Sequence, residues 1–113
     1  MLEINMEYRK GVLFIRFMGE LVKDKIKGNE IENVDDVLST GMTCVVFNLE
    51  ELTMIDNSGL DYLWEKYQMV KAKGGVAFLC GIHHSTVKRR LKRSRLLTYM
   101  NEIQDELILL HQC

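Results

Sequence analysis

The feature that most constrains the fold is a short apolar segment followed closely by a long amphipathic one. Residues 43–49, which read TCVVFNL, are apolar at nearly every position, and this is typical of a central strand buried on both faces. Residues 58–73 carry apolar side chains at the spacing of one helix face. These side chains are Leu60, Leu63, Trp64, Tyr67 and Val70. A strand buried on both faces needs helices to cover it, so the two segments predict an α/β fold.

The rest of the chain alternates between strand and helix patterns, read from apolar spacing of two or of three to four residues. Strands are predicted at residues 2–9, 12–18, 43–49 and 76–80, with a short edge strand at 96–100. Helices are predicted at residues 58–73, 85–93 and 102–110. Residues 24–40 carry a partial helical stripe that Gly28 and Asn29 interrupt, so a helix there is expected to start near Asn29 or Glu30. This order predicts a mixed sheet of four or five strands, with helices packed mainly on one face.

Glycines and polar residues mark the predicted connections. Lys10-Gly11 is expected to form a hairpin turn, and Gly19 to end the second strand. Ser85 is expected to cap the helix that follows it. Residues 50–56 are predicted to form a loop whose apolar side chains turn inward. These are Leu52, Met54 and Ile55.

The chain is short and has no long apolar segment. Its 113 residues suit a single domain spanning residues 1–113. No apolar run approaches the roughly 20 residues that a membrane-spanning helix requires. The first residues, MLEINME, carry acids where a signal peptide carries positive charge. We therefore predict a cytoplasmic protein without a membrane span.

Positive charge is concentrated in one segment. The formal net charge is -1, yet all six basic side chains of residues 76–113 lie between Lys88 and Arg95. The segment can be a solvated helix face or a contact for an acidic protein partner. A nucleic-acid surface also needs clustered cations, but it needs stacking aromatics as well, and only Tyr99 is near in sequence. With a sequence pI near 6.3, direct nucleic-acid binding is not expected.

The cysteines and histidines do not form a metal-binding pattern. Cys44 and Cys80 lie inside apolar runs and are expected to be buried, Cys113 is terminal, and no Cys-x-x-Cys pair exists. His83 and His84 are adjacent, but no neighbouring Cys, Asp or Glu completes a ligand set. We therefore expect no metal and no cofactor.

Ser58 lies where the long helix begins, at its N-cap or in its first turn. The first turn of a helix presents unpaired N–H groups and a partial positive charge, which suit a phosphate. A phosphate here would also add nearly two negative charges beside Asp56 and Asp61. Ser58 can therefore be a phosphorylated switch, or it can simply be a helix cap.

Catalysis by Ser58 is a weaker interpretation. A nucleophile elbow has the pattern Gly-x-Ser-x-Gly, whereas Asp56 and Leu60 stand at the glycine positions. Nothing in the sequence indicates that His83 or His84 lies near Ser58, so the pattern does not favour a small serine hydrolase. We therefore expect that the chain is not an enzyme. Tyr62 lies one turn from Ser58, on a helix side with Lys66 and Met69 that is predicted to be exposed. This side can be a protein interface or an ordinary helix surface.

Residues 43–60 resemble the signature of the STAS family, which includes bacterial anti-sigma factor antagonists. The shared pattern is an apolar strand, a short connection, and then Asp56-Asn57-Ser58-Gly59-Leu60 opening a helix. Three further segments resemble the family in the same order. They are Gly19-Glu20-Leu21, Lys73-Gly74-Gly75 and Val87-Lys88-Arg89.

The resemblance implies a transcription regulator that is controlled by phosphorylation. The unphosphorylated protein would bind an anti-sigma factor, which is also a serine kinase, and so release a sigma factor. The kinase would phosphorylate Ser58 and end the interaction, and a phosphatase would restore it. The resemblance places partner binding at the start of the helix. The residues are Asp56, Asn57, Ser58, Gly59, Asp61 and Tyr62.

The sequence departs from the family pattern at three places. Val22 follows Gly-Glu-Leu where an Asp is usual, Asn57 replaces Ser or Thr, and Ser94-Arg95-Leu96 replaces Ser-Gly-Leu. The alternative function is a phosphorylation-independent STAS interaction module in a signalling or transport complex.

Overall fold

The computed structural model describes residues 1–112, and Cys113 lies outside the described residues. Five strands form one mixed sheet whose spatial order follows the chain. β1 pairs antiparallel with β2, and each later strand pairs parallel with the strand before it. The strands are β1 (Leu2–Arg9), β2 (Val12–Leu21), β3 (Cys44–Ile55), β4 (Val76–Cys80) and β5 (Asn101–Ile103). The prediction of a mixed sheet is confirmed, with five strands.

The helices lie in the connections between the parallel strands and after the last one. A single 3₁₀ turn, Lys23–Lys25, follows β2. The helices are α1 (Asn29–Ser39), α2 (Asn57–Ala72), α3 (Ser85–Arg93), α4 (Leu96–Tyr99) and α5 (Leu107–Gln112). No helix among residues 1–112 is long and apolar enough to cross a membrane.

The sheet buries apolar side chains on both faces. The larger core joins one face to the apolar stripes of α1 to α4, through residues such as Ile15, Phe47, Leu63 and Leu91. The smaller core joins the other face, including Phe14 and Val46, to Leu109 of α5. Most helices therefore cover one face, as predicted, and α5 alone covers part of the other.

The predicted loop at residues 50–56 is wrong, because β3 continues to Ile55. The second half of β3 pairs with the end of β2, which itself runs past Gly19 to Leu21. The register of this pairing shifts at two places. Such bulges let the two strands remain paired although apolar and polar residues do not alternate regularly along them. Leu52 and Ile55 are buried as predicted, but Met54 is 48% exposed and points outward.

The structure also corrects the predictions for the C-terminal region. The predicted edge strand at 96–100 is α4, a single helical turn that buries both Leu96 and Met100. The Met100 N–H donates to the Leu96 carbonyl at 2.8 Å, so helical spacing brings both side chains to the core. The edge strand is β5 instead, and the last helix starts at Leu107 rather than at 102.

The predicted cap of α3 is likewise wrong. His84 holds the N-cap position, and Ser85 is the first residue of the helix. Ser85 is exposed and no side-chain hydrogen bond caps this end. The helix is instead positioned by Val87 and Leu91, which are buried as predicted.

A cluster of polar side chains joins the sheet to the residue that precedes α5. Arg16 of β2 donates to both carboxylate oxygens of Glu106, at 2.8 and 2.7 Å, and also to Glu7 at 2.8 Å. The Asn48 amide of β3 donates to Glu106 at 2.7 Å. Burial raises the pKa of Glu106, but the hydrogen bonds from Arg16 and Asn48 and the charge of Arg16 outweigh it and lower the pKa below its ordinary value. Glu106 thus joins two strands to the chain that leads into α5.

We expect Glu106→Gln to lower the free energy of unfolding at pH 7 by about 1–3 kcal/mol, because charge-assisted hydrogen bonds are lost. The pKa of Glu106 is depressed on folding, so its contribution is present above the ordinary value of 4.5 and is lost as pH falls through the folded pKa. The difference between wild type and variant should therefore shrink below about pH 4.

Urea unfolding of both proteins across this pH range measures the effect. Glu102→Gln is the matched control, since Glu102 is exposed and lies in the same region. An equal loss of stability in the control, or a difference that persists at acid pH, would contradict the assigned role of Glu106.

Candidate functional site

The start of α2 is fixed by Asp56, the N-cap residue. One carboxylate oxygen accepts from the Gly59 N–H at 2.8 Å, as an N-cap does. The other oxygen accepts from the Lys23 N–H at 3.0 Å, in the turn after β2. Burial raises the pKa of Asp56, but these backbone hydrogen bonds outweigh it and lower the pKa below its ordinary value. An ionised Asp56 therefore ties the helix start to the end of β2.

Gly59 allows the helix to approach the sheet closely. A Cβ atom at this position would lie 2.1 Å from the Leu21 carbonyl oxygen and 2.7 Å from Cγ1 of Ile55. Contacts this short can be relieved only if the helix or the strand moves. The first turn of α2 thus rests directly on the ends of β2 and β3.

Ser58 lies in the first turn of α2 and is not its N-cap, so the interpretation of Ser58 as the helix cap is wrong. Its side chain is partly exposed, and its hydroxyl makes no hydrogen bond to another described protein group. It borders a shallow depression together with Lys23, Asp61 and Glu65. The hydroxyl is therefore accessible and takes no part in the described hydrogen bonds of the fold.

Three carboxylates and one cation surround Ser58. Asp61 and Glu65 are exposed on α2, and Asp56 lies at its N-cap. Lys23 is exposed on the opposite rim of the depression. A phosphate on Ser58 would sit beside the helix N-terminus and Lys23, but would greatly increase the negative charge of this surface.

Tyr62 and Lys66 are buried, so the prediction that they lie on an exposed helix side is wrong. Tyr62 is 7% and Lys66 2% exposed, and the Tyr62 ring meets Phe17 edge to face. Lys66 forms an ion pair with Asp35 of α1, and its ammonium lies 4.9 Å from the centre of the Tyr62 ring. Burial, followed by the charges of Asp35 and Glu65, raises the pKa of Tyr62 far above its ordinary value.

Part of the predicted apolar stripe of α2 lies near the surface. Leu60, Trp64 and Tyr67 are only partly buried. The Trp64 ring stacks on the Tyr67 ring, with 5.4 Å between the ring centres. It meets the ring of Tyr99 in α4 at a centre-to-centre distance of 5.1 Å. Leu63 and Val70 are fully buried, as predicted.

The predicted partner-binding residues therefore divide into two groups. Asn57, Ser58 and Asp61 present surface at the start of α2. The N-cap Asp56, which is partly buried, and the buried Gly59 and Tyr62 support that surface. Lys23 and the ion pair of Lys66 with Asp35 were not identified from the sequence, because these contacts join segments distant along the chain.

Cys80, His83 and His84 add no chemistry to this site. Cys80 is buried in the sheet, and burial raises the pKa of its thiol to about 12. His83 and His84 are exposed at the end of β4. Over the described range, no group of three or more His, Cys, Asp or Glu side chains is arranged to hold a metal ion.

Comparison with known proteins gives consistent results. The sequence profile of the STAS domain matches residues 3–107. The chain is 31% identical over 107 residues to the anti-sigma F factor antagonist of Paenibacillus polymyxa, covering 93% of this chain and 89% of the relative.

Solved structures of low sequence identity share the fold. The cell fate determinant SpoIIAA of Bacillus, in its phosphorylated form, superposes with a TM-score of 0.71 at 20% identity, covering 98% of this chain and all of the other. An anti-sigma factor antagonist from Mycobacterium paratuberculosis gives a TM-score of 0.81 at 15% identity, over 99% and 93% of the two chains.

We expect Gly59→Ala to lower the free energy of unfolding by about 2 kcal/mol or more, because the added methyl group meets the Leu21 carbonyl. Urea unfolding followed by circular dichroism measures the effect. Ser58→Ala is the matched control at the neighbouring position and should change stability by less than about 0.5 kcal/mol. Equal midpoints for Gly59→Ala and wild type would show that α2 does not rest on the strand ends as described.

Proposed function

Because the chain belongs to the STAS domain family and is of the anti-sigma factor antagonist type, we propose that it binds an anti-sigma factor while Ser58 is unphosphorylated. Binding releases a sigma factor, and phosphorylation of Ser58 by the same anti-sigma factor, acting as a serine kinase, ends the interaction. A phosphatase acting on phospho-Ser58 resets the switch. These events take place in the bacterial cytoplasm, where sigma factors meet RNA polymerase.

The observation that carries this proposal is the accessible hydroxyl of Ser58. It lies in the family motif, in the first turn of α2, and takes part in none of the described hydrogen bonds. A kinase can therefore reach it without unfolding the helix. Antagonists of this family are non-enzymatic regulators, in agreement with the expectation that this chain is not an enzyme.

The proposed switch acts through charge and shape at the surface. A phosphate would lie near the positive end of the α2 dipole, which favours negative charge, so the helix itself would tolerate it. The same group would place nearly two further negative charges beside Asp61 and Glu65. A partner surface that fits the bare serine would meet both added bulk and repulsion.

We assign different roles to the predicted partner-binding residues. Asn57, Ser58 and Asp61 make contact with the anti-sigma factor. Asp56 and Gly59 hold the turn in place, through the hydrogen bonds and the close approach described above. Tyr62 supports the turn from the core.

The test is a pull-down from lysate of the source cells with four baits. They are the native chain, Ser58→Ala, Ser58→Asp and Ser39→Asp. The native, Ser58→Ala and Ser39→Asp baits should retain a protein with an ATP-binding kinase domain. Ser58→Asp should bind it about tenfold more weakly or not at all, because the carboxylate mimics part of the added charge. Ser39 is exposed at the end of α1 and controls for a charge placed elsewhere.

The retained kinase and ATP should then add one phosphoryl group to the native chain and none to Ser58→Ala, as measured by mass spectrometry. If all four baits retain the same partner equally, Ser58 is not the switch. The chain would then be a phosphorylation-independent module in a signalling or transport complex.

A further inference from the structure

A groove of about 500 Å³ runs between the first turns of α2 and the helix α3. Asn57, Leu60 and Asp61 form its α2 wall, and Arg89, Arg90 and Arg93 lie on its α3 wall. A second depression adjoins it, shares Leu60 and Asp61 with it, and is also lined by Trp64 and Arg95. The α3 side is therefore basic, and the α2 side combines apolar side chains with Asn57 and Asp61.

The cations of this wall are not neutralised by the fold. Residues 88–95 contain six basic side chains and no acid. Elsewhere, Arg16 and Lys66 are held by carboxylates. Within the described chain, no carboxylate lies at ion-pair distance from any basic side chain of residues 88–95. Such a field, which is not cancelled internally, is available to attract an acidic partner.

Ring contacts position the apolar side chains beside the groove. Leu60 and Trp64 are both partly exposed at the surface of α2. The Trp64 ring packs against the rings of Tyr67 and Tyr99. Partly exposed aromatic rings beside arginines without ion-pair partners are typical of the centre of protein interfaces.

We propose that this groove docks an acidic peptide segment of the protein partner, with carboxylates on Arg89 and Arg93 and an apolar side chain against Leu60 and Trp64. Arginine suits this role because its guanidinium can hold a carboxylate by two parallel hydrogen bonds. The identity of the partner as the anti-sigma factor rests on the proposed function, whereas the chemistry of the segment rests on the groove.

A nucleic acid fits the groove less well. Tyr67 stacks on one face of Trp64 and Tyr99 meets its ring, so the indole is not a free platform for a base. The carboxylate of Asp61 also lines the groove. A peptide can place a neutral or basic side chain opposite Asp61, but a continuous polyanion cannot.

The groove and Ser58 share the first turn of α2. Asp61 lines both the groove and the depression beside Ser58, and Asn57 is the neighbour of Ser58. A segment seated in the groove therefore reaches the edge of the serine surface. One partner can bind both surfaces, with the groove supplying attraction that does not depend on phosphorylation.

The test is an NMR titration of the isotope-labelled full chain with a short capped peptide built of Glu and Leu. Saturable shifts are expected at the Trp64 indole N–H and at the backbone of Leu60, Arg89 and Arg93. A matched peptide with Gln in place of every Glu should bind about tenfold more weakly or not at all.

Two double variants separate the groove from general basic charge. Arg89→Glu with Arg93→Glu should weaken binding of the Glu/Leu peptide by about tenfold or more. Lys88→Glu with Lys92→Glu makes the same charge change on the same helix, at residues that do not line the groove. This control should bind at most about threefold more weakly than the native chain.

Several results would overturn the proposal. They are equal weakening by the two double variants, equal binding of the Gln peptide, shifts that avoid Leu60 and Trp64, or tighter binding of a short DNA strand of matched charge. The titration uses no cellular partner. A negative titration therefore does not change how the Ser58 pull-down is interpreted. A negative pull-down likewise does not change how the titration is interpreted.

Discussion

The rest of the site depends on one close contact, the first turn of α2 resting on the ends of β2 and β3. Gly59 makes the contact possible because it has no Cβ to meet the Leu21 carbonyl. Asp56 locks it, since its two carboxylate oxygens hold the helix start and the turn after β2 together. The direction of α2, the exposure of Ser58 and the position of the groove beside α3 all follow from this anchoring. Asp56 and Gly59 of the motif are therefore structural, and they position a serine whose hydroxyl takes part in none of the described hydrogen bonds.

Local pattern was sufficient for the elements whose burial is symmetrical or strictly periodic. The strand at 76–80 was predicted with the bounds that the structure has. The end of α3 was predicted correctly, but the helix begins at the residue that was predicted as its cap. The limits of α2 were predicted to within a residue, and α1 begins at one of the two starts expected for it. In each of these segments, side-chain spacing reflects the surface that the element buries. The resemblance in residues 43–60 then identified the turn that carries Ser58.

Pattern failed where a distant partner decides the outcome. The polar residues of 50–54 form a strand because the end of β2 supplies its hydrogen bonds. Lys66 is buried because Asp35, on another helix, offsets the cost of removing an ammonium group from water. On the same helix Tyr62 lies in the core, whereas Trp64 is only partly buried. The apolar spacing within α2 carries no information about Asp35, which lies on another helix. The partial exposure of Trp64 beside the groove could therefore not be predicted from α2 alone.

The order of the strands in the sheet has a further consequence, for the way the chain can fold. Each strand pairs only with its neighbours in sequence, so the sheet can grow one connection at a time. Every pairing then closes a loop of limited length, and the entropy lost at each closure stays modest. The hairpin of β1 and β2 closes the shortest loop, whereas each parallel pairing needs a crossover. We therefore expect the hairpin to form before the crossover that brings β3 against β2 and so completes the support for the turn that carries Ser58.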